Sequence, residues 1–349
     1  MSKTCVTVTM IQPFLHKWFP HAQSLPALQP LAADASTRRY FRLTWPEPVT
    51  GTPATCVLMA CDPWAPASTP DFLAVGRHLR ACGVHVPQVY GIAPEQGFMG
   101  LEDYGDCTLA TYWQETSAAV RCLWGQQAID ELIKMHTVGT QQADPACPAF
   151  QLAFDVPKLL SELQFFRQHA LEGLWQGRQA EADRAAFDAA CLPLCTLLAE
   201  QPRYFCHRDY HGWNIMVYNE SVGVLDFQDA RLGPQPYDLV SLLVDRSIPA
   251  VLGTEVSRAL MDYYIRRMEA ETGTRIDRQH FAELFEYVAI QRCLKAIGTF
   301  AYMGVVRQRQ PYLPYIGPTL AYVKPLIERY PMLRPLAGLL QTYIPSWPV

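Results

Sequence analysis

Short apolar runs separated by polar turns dominate the first hundred residues, and this pattern is typical of β-strands. We predict five strands, which cover residues 28–31, 40–45, 55–60, 88–90 and 98–102. Two helices are predicted beside them, one at 12–19, where Pro20 ends the periodic pattern, and one at 71–82. The pattern therefore predicts that this part of the chain is mainly an antiparallel sheet.

Beyond Thr108 the apolar residues recur at the spacing of amphipathic helices. The predicted helices cover residues 117–137, 154–169, 183–200, 237–245, 253–271 and 277–303. We therefore predict an α+β fold with two lobes. The smaller sheet lobe comprises residues 1–103, and the larger, mainly helical lobe comprises residues 104–349.

Composition narrows the class of protein. The 349 residues suffice for two modest domains, half of them are apolar, and the net charge of -4 gives no general attraction for nucleic acid. No apolar run approaches the ~20 residues that span a membrane, and the first residues do not resemble a signal peptide. Eleven cysteines without a C-x-x-C spacing indicate reduced thiols. We expect a cytoplasmic protein with no membrane, nucleic-acid or obligate protein partner.

One polar stretch carries candidate chemistry. His207-Arg208-Asp209 is followed five residues after the aspartate by Asn214, and Asp226 comes directly after a strand-like apolar run at 222–225. This order is typical of phosphoryl transfer of the kinase type. A carboxylate at Asp209 can orient a substrate hydroxyl and take its proton. The oxygens of Asn214 and Asp226 suit Mg²⁺ and leave room for phosphate and water.

A plainer interpretation of the same stretch stays open. A turn rich in Asp, Asn and Gly between two strands would use Asp209 and Asn214 for local hydrogen bonds only. The correctly spaced strand and Asp226 favour the catalytic interpretation.

These residues also carry a resemblance. The loop 209–214, Asp226 and Tyr237-Asp238-Leu239 resemble the aminoglycoside phosphotransferase and choline kinase group. Three further stretches, 34–42, 83–87 with 95–98, and 225–230, resemble a narrower family, the bacterial anomeric kinases for N-acetylmuramate and N-acetylglucosamine of cell-wall recycling. The resemblance covers residues from about 10 to about 315. It implies a two-lobed protein-kinase-like fold, ATP and Mg²⁺ as cofactors, a sugar substrate and a bracing role for Asp238.

The resemblance makes the sheet lobe the nucleotide-binding lobe. The turn after the first strand has no G-x-G-x-x-G, so we expect Ser36, Thr37 and Arg39 to contact the phosphates. A plain hairpin with a solvated basic tip is the alternative. Backbone groups of Glu102 and Tyr104 would read the adenine edge at the hinge between the lobes.

A lysine that most relatives carry is absent here. The third strand ends without the lysine that pairs with phosphates, and helix 71–82 has no glutamate to pair with it. The absence of both residues is physically consistent, because a lysine or a glutamate buried without its partner would be energetically costly. The phosphates still need compensating charge. We expect it from Arg38, Arg39 or Arg42, and from Arg39 foremost.

The acceptor side is less defined. Asp229 is a candidate contact for a sugar or a second metal, or a simple loop acceptor. Glu162 is a candidate for a sugar hydroxyl, or a solvated or capping carboxylate. Prolines and tyrosines at 307–318 suggest a pocket mouth where aromatic faces stack on a pyranose ring, although surface packing explains them equally.

The predicted activity is ATP-dependent phosphorylation of the anomeric hydroxyl of an amino sugar. One alternative is a kinase for another small molecule, such as an aminoglycoside, choline or homoserine. A polycationic substrate would want an acidic pocket, yet from Glu255 onward Lys and Arg outnumber Asp and Glu. The other alternative is a pseudokinase scaffold, which the missing lysine favours and the intact Asp209, Asn214 and Asp226 disfavour.

Overall fold

The structure is a computed structural model that describes residues 6–22, 24–31, 38–46, 54–176, 181–344 and 347. The predicted phosphate contacts Ser36 and Thr37 lie outside these residues. Within the described chain, no helix combines the length and the apolar character needed to cross a membrane.

A five-stranded antiparallel sheet forms the first part of the chain, as the alternating pattern predicts. Its strands are β1 (Ala27–Pro30), β2 (Arg39–Thr44), β3 (Thr55–Ala60), β4 (Val89–Ala93) and β5 (Phe98–Leu101), in the order β1-β2-β3-β5-β4. Register pairs Arg39 with Ala60 and Val57 with Leu101, so β3 lies at the centre.

The two faces of this sheet bury different partners. Successive side chains of a strand point to opposite faces. Leu43 and Leu58 face helix α1 (Val8–Trp18), where they join a small core. Val57 and Met59 face the other way and join the main core, which also takes in helix α2 (Asp71–Ala81). The second face of the sheet therefore packs against the main core of the protein.

The remainder is mainly helical, as predicted. Its helices are α3 (Leu109–Gln114), α4 (Ala118–Lys134), α5 (Val156–Phe166), α6 (Glu181–Ala199), α7 (Tyr237–Val244), α8 (Ile248–Thr272), α9 (Arg278–Ala301), α10 (Ile316–Arg329) and α11 (Arg334–Tyr343). The sequence pattern does not predict α3, α10 and α11. π-helical turns continue α4, α5 and α9 at 135–139, 167–174 and 302–306.

Two short antiparallel strand pairs interrupt the helices. β6 (Arg203–Cys206) pairs with β9 (Arg231–Pro234), and β7 (Ile215–Tyr218) pairs with β8 (Ser221–Val224). The tight β7–β8 turn has positive φ at both Asn219 and Glu220, which matches the twist of a two-residue hairpin. The loops between these strands carry the candidate catalytic residues.

Candidate active site

The loop 207–214, which joins β6 to β7 and is called the catalytic loop below, is anchored from beneath. The fully buried Asp238, in the first turn of α7, accepts the backbone amides of His207 at 2.6 Å and Arg208 at 2.9 Å. Arg208 has a φ of 83°, a strained value for a residue with a side chain. The bracing role implied for Asp238 is therefore confirmed, and it fixes the start of the loop that presents Asp209.

Asn214 and Asp226 meet at the other end of this loop. Asn214 Nδ2 donates to the Asp209 carbonyl at 3.0 Å and lies 3.5 Å from Asp226 Oδ2. Gln228 Nε2 donates to Asp226 Oδ1 at 2.8 Å. Because Nδ2 is held by the loop, the Asn214 amide oxygen is turned away from it. The Asn214 amide and the Asp226 carboxylate are thus neighbours through Nδ2, and the oxygens that these two side chains carry are of the type that fits Mg²⁺.

Phe227 ties this position to α2. Its ring stacks on Phe72 with centroids 4.9 Å apart, and it is 1% exposed. A Cβ at Gly76 would lie 3.1 Å from the same ring, so the helix approaches closely because residue 76 has no side chain. Asp226 itself has a φ of 61°. Packing against α2 thus holds the aspartate in an uncommon backbone conformation.

Three cations surround the Asp209 carboxylate. Lys295 Nζ lies 3.1 Å from Oδ1, Arg292 Nη1 lies 4.0 Å from Oδ1, and Arg208 Nε lies 4.0 Å from Oδ2. Burial alone would raise the pKa of Asp209, but the charges of Lys295, Arg208 and Arg292 hold it well below its ordinary value of 3.8. Asp209 is therefore ionised at neutral pH and is a weak base.

Glu162 lies beneath this cluster, and its interpretation as a solvated or capping carboxylate is wrong. The side chain is 6% exposed; Gln291 Nε2 donates to it at 3.0 Å and Lys158 Nζ lies at 3.1 Å. Arg208 Nη2 is 3.9 Å away. Burial raises the pKa of Glu162, but Lys295, Lys158 and the Gln291 amide together lower it below 4.5. The α5 carboxylate thus holds the cations of the site in place.

Asp229 lies at the open side of the same cluster. Its side chain is 61% exposed, and Oδ2 is 3.5 Å from Arg208 Nη1. The structure therefore brings Asp229 to the catalytic loop, on the side where Arg208 also faces Asp209.

Arg42 of β2 pairs with two carboxylates of the predicted hinge. Its guanidinium contacts Asp103 at 2.6 and 3.0 Å and Asp106 at 2.8 Å. These hydrogen bonds raise the pKa of Arg42 above its ordinary value. Asp103 also accepts the Gly105 amide at 2.9 Å. Arg42 thus clamps the sheet to the hinge, and the expectation that it serves the phosphates is not supported.

Strand alternation separates Arg38 from Arg39. Arg39 lies over the Phe41 ring at 6.0 Å, on the face of the sheet that packs against α1. Arg38 shares the opposite face with Tyr40 and hydrogen bonds to it, and burial together with the charge of Asp226 raises the pKa of Tyr40. Arg38 therefore lies on the Tyr40 side of the sheet, whereas Arg39, the expected phosphate contact, lies on the Phe41 side.

The predicted hinge follows β5 directly. The Glu102 amide donates to the Gln88 carbonyl at 2.8 Å, and its carboxylate accepts the Gln88 amide at 3.1 Å. The Tyr104 ring is 4% exposed and packs so closely that a Cβ at Gly223 would lie 2.3 Å from it. Its side chain belongs to the core, so the hinge residues would meet a nucleotide through backbone groups.

Sequence reasoning missed the contribution of α9. Gln291, Arg292 and Lys295 reach Glu162, the Arg208 carbonyl and Asp209 respectively. The sequence feature that could have indicated this contribution is a group of three polar residues in a helix whose buried side chains are otherwise almost all apolar.

The tyrosines at the predicted pocket mouth surround an arginine. The Arg246 guanidinium carbon lies 5.8 Å from the Tyr312 ring, 5.6 Å from the Tyr315 ring and 4.4 Å from the ring of Trp213 in the catalytic loop. These are cation–π contacts. The segment 307–318 therefore packs next to the catalytic loop, and its tyrosines have a structural partner there.

The chain is similar in sequence to known kinases along most of its length. The chain is 30% identical over 318 residues to the N-acetylmuramate/N-acetylglucosamine kinase of Neisseria meningitidis serogroup B, covering 88% of each chain. It is 31% identical over 322 residues to the enzyme of the same name from Pseudomonas aeruginosa, covering 92% of this chain and 88% of that one.

Solved structures share the fold. Choline kinase from Cryptosporidium parvum Iowa II superposes with a TM-score of 0.60 at 11% identity, over 96% of this chain and all of the other. An ADP-bound aminoglycoside phosphotransferase gives 0.57 at 14% identity, over 96% and 99%. The fold is thus kinase-like, as predicted. A family model described as the phosphotransferase enzyme family matches residues 27–282, and the chain belongs to that family.

Proposed function

We propose that this protein is an ATP- and Mg²⁺-dependent kinase that phosphorylates the anomeric hydroxyl of N-acetylmuramate, N-acetylglucosamine or both. The observation that carries the proposal is that Asn214, at the end of the loop that presents Asp209, bonds to the Asp209 carbonyl and also lies 3.5 Å from Asp226, which follows the next hairpin. The names of the kinases from Neisseria and Pseudomonas supply the substrate class.

Each residue has a distinct task in the proposed reaction. Asp209 accepts the proton of the sugar hydroxyl, whose oxygen attacks the γ-phosphorus while the bond to the ADP oxygen breaks. Asn214 and Asp226 would hold Mg²⁺, which neutralises phosphate charge when bound. Glu102 and Tyr104 would receive the adenine through their backbone groups. Phosphoryl transfer needs little covalent chemistry from the protein, so placement of these groups supplies most of the rate.

The weakness of Asp209 as a base favours an acidic hydroxyl. Its pKa is held well below 3.8 by Lys295 and the two arginines, despite burial. The anomeric hydroxyl is more acidic than the other hydroxyls of a sugar, so a weak base suffices for it. The three cations within 4.0 Å of Asp209 also suit a sugar that carries a carboxylate. We assign Asp229, the exposed partner of Arg208, as a sugar contact and Glu162 as its buried support.

An acceptor panel tests this assignment. ADP release with ATP and Mg²⁺ is measured without acceptor and with N-acetylmuramate, N-acetylglucosamine, an aminoglycoside, choline or homoserine. Stimulation by one or both amino sugars alone is expected. Stimulation by another compound alone would replace the substrate class, and no stimulation by any would favour the pseudokinase alternative.

Arg38→Ala should raise the KM for ATP by about tenfold, the usual worth of a charged hydrogen bond. The reason is that Arg38 lies on the same sheet face as Tyr40, toward Asp226. Arg39→Ala is the matched control, since Arg39 covers Phe41 on the opposite face and its loss should leave the KM for ATP within about twofold. Steady-state kinetics over a range of ATP concentrations decide the matter. A larger effect for Arg39 would reverse the assignment.

A further inference from the structure

The packing of α9 gives no reason for a lysine at position 295. Apart from Gln291 and Arg292, the buried side chains of α9 are apolar residues, cysteine and glycine. Lys295 points out of that set to Asp209, 86 residues earlier in the chain, and its side chain is 16% exposed. A partly buried lysine that contacts the catalytic loop is therefore a candidate for a functional role in addition to packing.

The two oxygens of Asp209 are in different environments. Oδ1 accepts from Lys295 Nζ at 3.1 Å. The ion pair nearest to Oδ2 in the described chain is with Arg208 Nε, which at 4.0 Å is beyond hydrogen-bonding distance. The side chain is 28% exposed. Oδ1 is thus held by the protein, and Oδ2 remains available to a substrate hydroxyl.

The other cations near Asp209 have partners of their own. Arg292 Nη1 donates to the Arg208 carbonyl, and Arg292 Nη2 lies 3.6 Å from Asp245. Arg208 lies between Glu162 and Asp229. Within the described residues, Lys295 is thus the cation at hydrogen-bonding distance from the Asp209 carboxylate. A single hydrogen bond to one oxygen sets the rotation of a carboxylate as well as its charge.

We propose that Lys295 is a positioning residue for phosphoryl transfer, which holds Oδ1 of Asp209 so that Oδ2 points at the acceptor hydroxyl. This inference rests on the proposed kinase function. In the transfer step the acceptor proton passes to Oδ2, the acceptor oxygen bonds to the γ-phosphorus, and ADP leaves with the electrons of the broken bond. Lys295 keeps its proton and its hydrogen bond to Oδ1.

Lys295→Met should lower kcat by roughly 10- to 100-fold, the cost of a misplaced catalytic group, and leave the KM for ATP within about threefold. Lys295→Arg keeps a cation and should recover part of the lost kcat. Lys295→Ala should be stimulated by a small primary amine such as ethylamine, with saturation. A residue that only stabilises the fold would show neither the separation of kcat from KM nor rescue by an amine.

Lys324→Met is the matched control, because Lys324 is a similarly exposed lysine (18%) that pairs with Glu328 at 3.0 Å on α10, outside the catalytic loop and the Glu162 cluster. Its kcat should stay close to that of the parent enzyme. Equal losses of kcat in both methionine variants would assign the effect to net charge and overturn the proposal. A kcat for Lys295→Met within about threefold of the parent would also overturn it.

The assay uses whichever acceptor the parent enzyme phosphorylates. Transfer to another hydroxyl compound would therefore overturn the amino-sugar assignment and still test Lys295. If Lys295→Met does not fold, Lys295→Arg is measured in its place. An arginine variant that folds like the parent and has an unchanged kcat supports the need for a cation at this position. A kcat as low as that of Asp209→Asn contradicts it. A parent enzyme that phosphorylates nothing would overturn both proposals.

Discussion

Asp209→Asn should lower kcat by about 10²–10⁴-fold, the usual contribution of a positioned general base. The change keeps the size of the side chain and removes the proton acceptor. Nucleotide affinity should stay within a few-fold of the parent, because Asp209 meets the cleft through its carboxylate, whereas its backbone carbonyl holds Asn214. Steady-state kinetics and calorimetric titration with nucleotide measure the two quantities.

Asp130→Asn is a suitable control for this change. Asp130 is a partly exposed carboxylate on α4 that pairs with Arg267, so it has the same chemistry without a place in the catalytic loop. Its kcat should match that of the parent. If Asp209→Asn also kept turnover within a few-fold, the carboxylate would not be the base.

Asp226→Ala should abolish Mg²⁺-dependent transfer and weaken Mg·ATP binding more than binding of metal-free nucleotide. The reason is that Asp226 provides the carboxylate of the pair with Asn214, 3.5 Å away. Removing the carboxylate, the charged one of the two proposed protein ligands, leaves the ion with the Asn214 oxygen, the nucleotide and water. Calorimetric titrations with and without Mg²⁺ measure the difference.

Asp229→Ala gives the comparison for that experiment. Asp229 is three residues further on, exposed, and lies beside Arg208. Its loss should affect both nucleotide titrations alike. Equal weakening of metal-bound and metal-free nucleotide in Asp226→Ala would remove Asp226 from the metal site.

The parts of the site that were predictable from sequence lie close together along the chain. His207 to Asn214 spans one loop, and Asp226 follows the next hairpin, so spacing alone relates their positions. Lys295 and Arg292 are more than 80 residues away from Asp209, and only the packing of α9 brings them there. Polar residues on an amphipathic helix usually face water. The helical period does not identify the polar residues that face the protein interior instead.

The sequence alone could not choose among the arginines for a different reason. Neighbouring residues in a strand face opposite sides of the sheet, so Arg38 and Arg39 are indistinguishable until it is known which face looks toward the cleft. The answer depends on the pairing of β2 with β3 and on α1, which covers the face of Phe41. Glu162 was misjudged similarly, because its partner Gln291 lies 129 residues away.

The position of the transferred phosphoryl group is the most direct test of the proposed function. The enzyme is incubated with ATP, Mg²⁺ and either N-acetylmuramate or N-acetylglucosamine, and the product is examined by phosphorus NMR with a parallel assay of reducing ends. The account predicts phosphorus coupled to the anomeric proton and loss of the reducing end, as a sugar 1-phosphate requires. ATP consumption with the reducing end retained would contradict the anomeric assignment.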